Sequence, residues 1–369
     1  MEDNSFSTAN LIVDLRALAA NYDVLRKTSN AEVAAVVKAD AYGLGLRAIA
    51  ETLSTSGCKT FFVGLTAEGV SLRSLLPNAE IYVLTPCIER DINWMIENQL
   101  KPCLYDIDDI RSYIHRSQAG GLQPRAALHV DTGINRLGLD HLQIKAFCDS
   151  DERGKIDVDL LMSHLACADE QDSEMNKVQL SRFREHVQRF PGARASLANS
   201  AGIFLGPEYH FDLVRPGISL YGHDPHYKTV PSRVRPVVTF ETRLGQVKNL
   251  SEGEYVGYGA TVRCNQPTRI GVVLAGYADG IPWHLSDTVE GETHSVSIAG
   301  HRAPLFGRIS MDLTTIDLSG TPQKDIGNES IVEIFGKNIS IEEVAEHVGT
   351  IPYEILTQIG ARVTRIYVS

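Results

Sequence analysis

EVAAVVKADAYGLG, residues 32–45, is the stretch on which the fold turns. Its core, VAAVVK (33–38), is apolar on every position rather than on alternate ones, and it ends on a lysine. A strand apolar throughout is buried on both faces, as in a parallel sheet covered by helices. The same texture returns at 60–65 (TFFVGL), 80–85 (EIYVLT), 101–105 (KPCLY), 125–131 (RAALHVD), 157–163 (DVDLLMS), 193–198 (ARASLA) and 211–215 (FDLVR). Helical spacing separates these runs, at 46–54, 67–76, 89–98 and 174–189, and precedes the first of them at 15–29. Strands alternating with helices make βαβ units. Eight such units ending near residue 222 fit an α/β fold of the (β/α)8 TIM-barrel type, with a doubly wound open sheet as the competitor.

Beyond residue 230 the pattern changes. PSRVRP (231–236) has the look of a linker. VVTFETRLGQVKNL, RIGVVLAG, HSVSIAG, APLFGRISMDLTTIDL and SIVEIFG follow as alternating, Gly-punctuated runs, with one helix signal at 341–348. These predict a C-terminal, mostly antiparallel β domain over 231–369, after a barrel over 1–230 whose first ten or so residues pack on the β domain. A length of 369 residues suits two domains. The net charge of −11 argues against bulk binding to nucleic acid or an anionic membrane. The N-terminus is acidic, with no basic segment leading into an apolar one, and no apolar run is long enough to span a bilayer. The six cysteines form no CxxC pair, and no histidines stand at metal-ligand spacing. A cytoplasmic protein without disulfides or metal is expected.

Lys38 closes the first strand, where a barrel keeps its active face. Its ammonium either snorkels to solvent or serves a site, and a partly desolvated lysine there can attack a carbonyl. NSAG (199–202) follows strand seven and RPGISLYG (215–222) follows strand eight. Barrel phosphate sites commonly form from those two loops, with Ser200 as a hydrogen-bond donor and Gly217 allowing close backbone approach. A lysine on strand one plus such a cup suggests pyridoxal phosphate.

VVKADAYGLG, VDTGINRLGL, HLACAD, LANSAG, VRPGISLYG, VGYGATV, GYADG and GRISMD, in this order, resemble alanine racemase. The resemblance runs from about residue 10 to the C-terminus. It implies a pyridoxal 5′-phosphate enzyme acting on alanine as a homodimer with shared active sites. Carried over by motif, Lys38 is the Schiff-base lysine and one catalytic base, and Tyr258 is the other, donated by the second subunit. Arg215 faces the pyridine nitrogen, and His164 hydrogen-bonds near the catalytic tyrosine. Tyr42, Ser200, Gly217, Ile218 and Tyr353 form the phosphate cradle. Arg136 and the backbone of Met311 hold the substrate carboxylate and the cofactor oxygen, with Asp312 in the same loop and Tyr277 lining the substrate passage near Arg308. An arginine pKa above about 12 keeps Arg215 a cation that gives no proton to the ring, which makes the cofactor a weaker electron sink.

Three positions depart from the commonest family form. His129 stands where a carbamylated lysine often holds the arginine of the next motif. Leu44 replaces a second histidine, and Ser196 stands where a histidine often supports the pyridine-facing arginine. None removes a catalytic residue; they bear on tuning. The rival readings are a racemase of broader specificity (serine, for example), a decarboxylase on the same plan, which GYGATV and GRISMD do not match, and a non-catalytic cofactor-binding protein, which would lack the β domain and Tyr258. The sequence does not separate a biosynthetic role, feeding D-alanine to peptidoglycan, from alanine catabolism.

Overall fold

The computed structural model describes residues 8–286, 288–289, 292–327 and 329–369. The acidic start of the chain, residues 1–7, lies outside them. The described residues form two compact units: one of residues 17–41 and 45–235, the other of residues 8–16 and 42–44 with the described part of 236–369.

The first unit is a barrel. Seven parallel strands pair in sequence order: Ala35–Val36, Thr60–Val63, Glu80–Val83, Lys101–Leu104, Arg125–His129, Asp157–Met162 and Arg194–Ser196. An eighth strand, Leu213–Val214, closes the ring. It pairs in parallel with Glu32–Val33, and the backbone amides of Ala34 and Val36 donate to the carbonyls of Val214 and Pro216, both at 3.0 Å. On its other side, Asp212 N donates to Ala195 O at 3.0 Å and Arg215 N to Ala198 O at 2.9 Å. No strand edge is left open, which accounts for strands that are apolar on every position. Phe61, Phe62, Val63, Tyr82, Leu104, Leu128 and Leu161 are all buried.

The helices fall close to their sequence spacing, at Leu46–Thr55, Thr66–Leu75, Glu89–Glu97 and Glu174–Val187. Those at Ile107–Ala119 and His141–Cys148 start on aspartates, Asp106 and Asp140, whose carboxylates accept backbone N–H groups of the first turn. The first strand is shorter than its apolar run. It stops at Val36, and Val37 N still donates to Phe62 O at 2.8 Å.

The second unit is built on an eight-stranded, mostly antiparallel sheet. Its spine is the long strand Val238–Leu250. Ala9–Asp14 pairs with it antiparallel and with Thr364–Val368 in parallel. The helix expected at 341–348 is Ile341–Val348, capped by Ser340. A second one, Pro352–Thr357, gave no sequence signal because it is barely more than a turn. Among the described residues no helix is long and apolar enough to cross a membrane.

Candidate active site

In the barrel unit the expected residues fall at the C-terminal ends of different strands. Lys38 lies two residues beyond Ala35–Val36, Arg136 in the segment after Arg125–His129, His164 two residues beyond Asp157–Met162, Ser200 four beyond Arg194–Ser196, and Arg215 directly after Leu213–Val214. This is the face on which barrel enzymes carry their chemistry.

Lys38 opens a turn of unusual hand. Ala39, Asp40, Ala41 and Tyr42 all have φ between 53° and 59°. Four successive non-glycine residues in the left-handed region cost roughly 1–2 kcal/mol each. Such strain persists only where the surroundings over-determine it. Here Ala41 N donates to Val37 O (3.0 Å), Gly45 N to Asp40 O (2.9 Å) and Leu46 N to Asp40 Oδ1 (2.7 Å). Ala39 N donates to Glu68 Oε1 at 2.7 Å, while Glu68 Oε2 accepts from Gly64 N (2.7 Å) and Leu65 N (3.1 Å). The Lys38 ammonium is pushed below the usual lysine range by desolvation and by the Arg136 charge, and Glu68 opposes the fall. More of its amine is therefore free at neutral pH than in a solvated lysine.

Arg215 is buried. Its guanidinium donates to Ser163 O (2.6 Å) and to Ser196 Oγ. Burial lowers its pKa to about 10, below the value expected from arginine alone, yet it remains a cation at neutral pH. Ser196, one of the departures noted in the sequence, thus supplies a partner for the guanidinium. Burial and then the Arg215 charge hold His164 well below the usual histidine range, so its ring is neutral. His129 is buried and neutral as well, with a pKa lowered to about 3 by burial, Arg215 and Arg136. It contributes no negative charge near Arg136, and its Nδ1 has no partner among the described residues.

After the last two strands, Ser200 Oγ accepts from the backbone N–H groups of Gly217 (2.9 Å) and Ser219 (3.3 Å). With both lone pairs engaged, its own hydrogen points elsewhere. The Ser219 hydroxyl is fully buried and has no partner among the described residues. Ile218 is buried between them. Spare buried donors in a loop of this kind suit an anion. Together with a loosened lysine amine and a buried fixed cation, they fit an aldehyde-bearing phosphate ester such as pyridoxal phosphate.

The second unit carries the other expected residues. Tyr42, brought there with residues 42–44, is buried, and its ring lies 6.2 Å from that of Tyr353. Burial pushes its phenol up, so it stays a neutral hydrogen-bond donor. Tyr258 opens a 3-10 turn and is 72 % exposed. Tyr277 and Met311 are exposed too, and their loops are stitched together: Tyr277 N donates to Ser310 O (3.1 Å) and Ala278 N to Met311 O (3.0 Å). Asp312 pairs with Arg362 at 2.7 Å, and Arg362 also grips buried Asp279 through two bonds of 2.7 and 2.8 Å. Glu68, Asp279 and Arg362 were missed by sequence reasoning. Glu68 carries a signal as a glutamate in the first turn of a helix, a capping position, but that signal does not reveal its reach to Ala39.

A desolvated lysine amine at the C-terminal rim of a closed barrel, with buried hydroxyl donors on the neighbouring loops, is a set of groups suited to an enzyme that uses amine–carbonyl chemistry. The chain belongs to the alanine racemase family, an isomerase family: residues 13–225 match its N-terminal domain and residues 237–367 its C-terminal domain. It is 41% identical to the biosynthetic alanine racemase of Agrobacterium fabrum, over 99% of this chain and 96% of that protein. It is 37% identical to the catabolic alanine racemase of the same organism, over 98% and 92%. Among solved structures it is similar to the alanine racemase of Bartonella henselae with covalently bound pyridoxal phosphate (TM-score 0.92, 35% identity, 98% of this chain and 100% of that one). The biosynthetic alanine racemase of Pseudomonas aeruginosa gives a TM-score of 0.88 at 32% identity, over 99% and 100%.

Proposed function

We propose that this chain interconverts L-alanine and D-alanine, with pyridoxal 5′-phosphate as its cofactor, in a cytoplasmic homodimer. The observation that carries the reading is Lys38, an amine loosened by burial and by Arg136 at the end of the first barrel strand, in a chain that matches alanine racemases along nearly its whole length. When bound, pyridoxal phosphate supplies a carbonyl that bonds amines and a conjugated ring that draws electrons from the substrate Cα.

Lys38 would hold that group covalently. Ser200, Gly217, Ile218, Tyr42 and Tyr353 would hold its phosphate, and Arg215 would face its ring nitrogen. As a cation with a pKa of about 10, Arg215 keeps its protons and hands none to the ring at neutral pH. Arg136 and the Met311 backbone would orient the substrate carboxylate. Racemisation needs a base on each face of Cα. With the substrate amine in its place on the cofactor, Lys38 Nζ would be free to take or return the proton on one face, and Tyr258 Oη of the second copy would do so on the other, with His164 beside that tyrosine.

A base of this kind works shielded from bulk water. Tyr258 is 72 % exposed in the single chain, and Tyr255, Tyr277, Met311 and Leu313 of the same unit are exposed with it. An exposed apolar set supports covering by a second copy, which would contribute Tyr258 to the first copy's site. Biosynthetic and catabolic relatives lie close together in identity, at 41% and 37%, so either use of D-alanine is open to this chain.

Proton NMR of the cofactor-loaded protein with L-alanine in D₂O, followed by chiral analysis, tests the reading. The expected result is loss of the α-proton signal together with formation of D-alanine. An α-proton that survives with cofactor bound would refute alanine as substrate, and L-serine in the same assay would then probe the broader-specificity alternative.

A further inference from the structure

We propose that Glu68 is the positioning residue of Lys38: its carboxylate bridges two strand ends, fastens the left-handed turn that aims the lysine and places a negative charge beside it. The inference rests on the reading of Lys38 as the cofactor's anchor. One carboxylate spans two strand ends. Oε2 takes the N–H groups of Gly64 and Leu65 after the second barrel strand, and Oε1 takes the N–H of Ala39, next to Lys38. The ends lie close, since a Cβ placed on Gly64 would stand 3.4 Å from Lys38 Cβ and 3.2 Å from Glu68 Oε2.

The turn behind Lys38 consists of residues that disfavour its hand, and Ala39 is the first of them. Without the bond to Ala39 N, that amide loses a charge-assisted acceptor at the point where the strain begins. The charges acting on Lys38 are unequal. Arg136 pushes its proton off, Glu68 opposes that loss, and the His164 ring nearby is neutral. Glu68 therefore holds the turn that aims the amine and partly offsets the loss of its proton.

Two substitutions separate these roles. E68Q keeps one carbonyl oxygen, which can cap Gly64 and Leu65, but turns an NH₂ toward Ala39 and removes the charge. E68D keeps the charge and withdraws the carboxylate by one methylene. Hydrogen exchange of the 37–43 segment in the full chain should quicken about tenfold in both variants. The rate of pyridoxal phosphate attachment to the cofactor-stripped full chain, followed by absorbance across pH, should reach a lower plateau at high pH in both. Its rise with pH should move down by about half a unit or more in E68Q alone. Unchanged exchange in both variants, or an E68Q profile that is merely lower and not displaced, would overturn the proposal. Should pyridoxal phosphate fail to attach to the unaltered protein, the reading of Lys38 as anchor is what fails, and the exchange measurement still decides the fastening of the turn.

Discussion

At position 129 a neutral imidazole sits among cations. Its folded pKa of about 3 lies below the ordinary histidine value near 6.5. The folded state thus binds fewer protons than the unfolded one. The stability this gives is fully present above about pH 6.5 and is lost as pH falls toward 3. At about 1.4 kcal/mol per pH unit, the loss between pH 6.5 and 5 is about 2 kcal/mol. His164, depressed in the same direction, adds to the slope. Denaturant unfolding near pH 7 and near pH 5 should therefore show a marked acid loss, and His129→Gln should flatten it. An equally steep loss in the variant would mean that other groups carry the acid sensitivity. Arg215 shows how a serine can hold a buried guanidinium. Ser196 Oγ accepts one of its N–H groups and passes its own hydrogen to Leu213 O at 2.5 Å, a neutral chain from guanidinium to backbone.

At the scale of elements, two loops of the β unit act as one piece. Gly276 stands where a Cβ would strike the carbonyl oxygens of Ser310 and Met311. Only glycine lets the two backbones approach this closely, and the approach makes the bonds from Tyr277 and Ala278 possible. Arg362 locks the pair from behind through Asp279 and Asp312. Gly276→Ala would spread the loops that carry Tyr277 and Met311. Since displacements near 1 Å at positioning residues cost about a hundredfold, kcat/KM for alanine should fall about ten- to a hundredfold. Circular dichroism should stay native. Full activity in the variant would remove these loops from the site. The element-level signals were uneven in the sequence. GYADG and GRISMD stand out as motifs, but Arg362 lies in an ordinary stretch near the C-terminus, and only folding shows that it joins them.

On the molecular scale, the two ends of the barrel differ in character. Near the N-terminal ends of the strands, Lys101 pairs with Glu80 and Asp159, Arg194 with Glu80 and Glu32, and Arg125 with Asp157 and Asp159. Thr60 and Tyr82 complete the network with hydrogen bonds. Barrels place stabilising groups there and leave the opposite rim to catalysis. The β unit contributes exposed Tyr258, and the proposed sharing of sites between two copies is testable at this scale. Lys38→Ala and Tyr258→Phe should each be nearly inactive alone. After subunit exchange half the dimers are mixed, and each has one intact site of two, so activity should return to about a quarter. A verified mixed dimer that stays inactive would rule out shared sites.

Sequence alone determined the alternation of eight apolar strands with helices, the change to Gly-punctuated β runs after residue 230, and the motif residues. Each of these is a local property of composition and period, and local patterns survive being read along one dimension. The tertiary structure decided the rest. It closed the ring by pairing residues 32–36 with 212–216, whose partners lie some 180 positions apart in the chain. It set the strand end at Val36 rather than at Lys38 and turned the next four residues left-handed. It also brought Glu68 to Ala39, Ser196 to Arg215 and Arg362 to Asp279. Such contacts carry no periodic signal, because a hydrogen bond to a distant partner depends on the path of the whole backbone and not on the residues beside it.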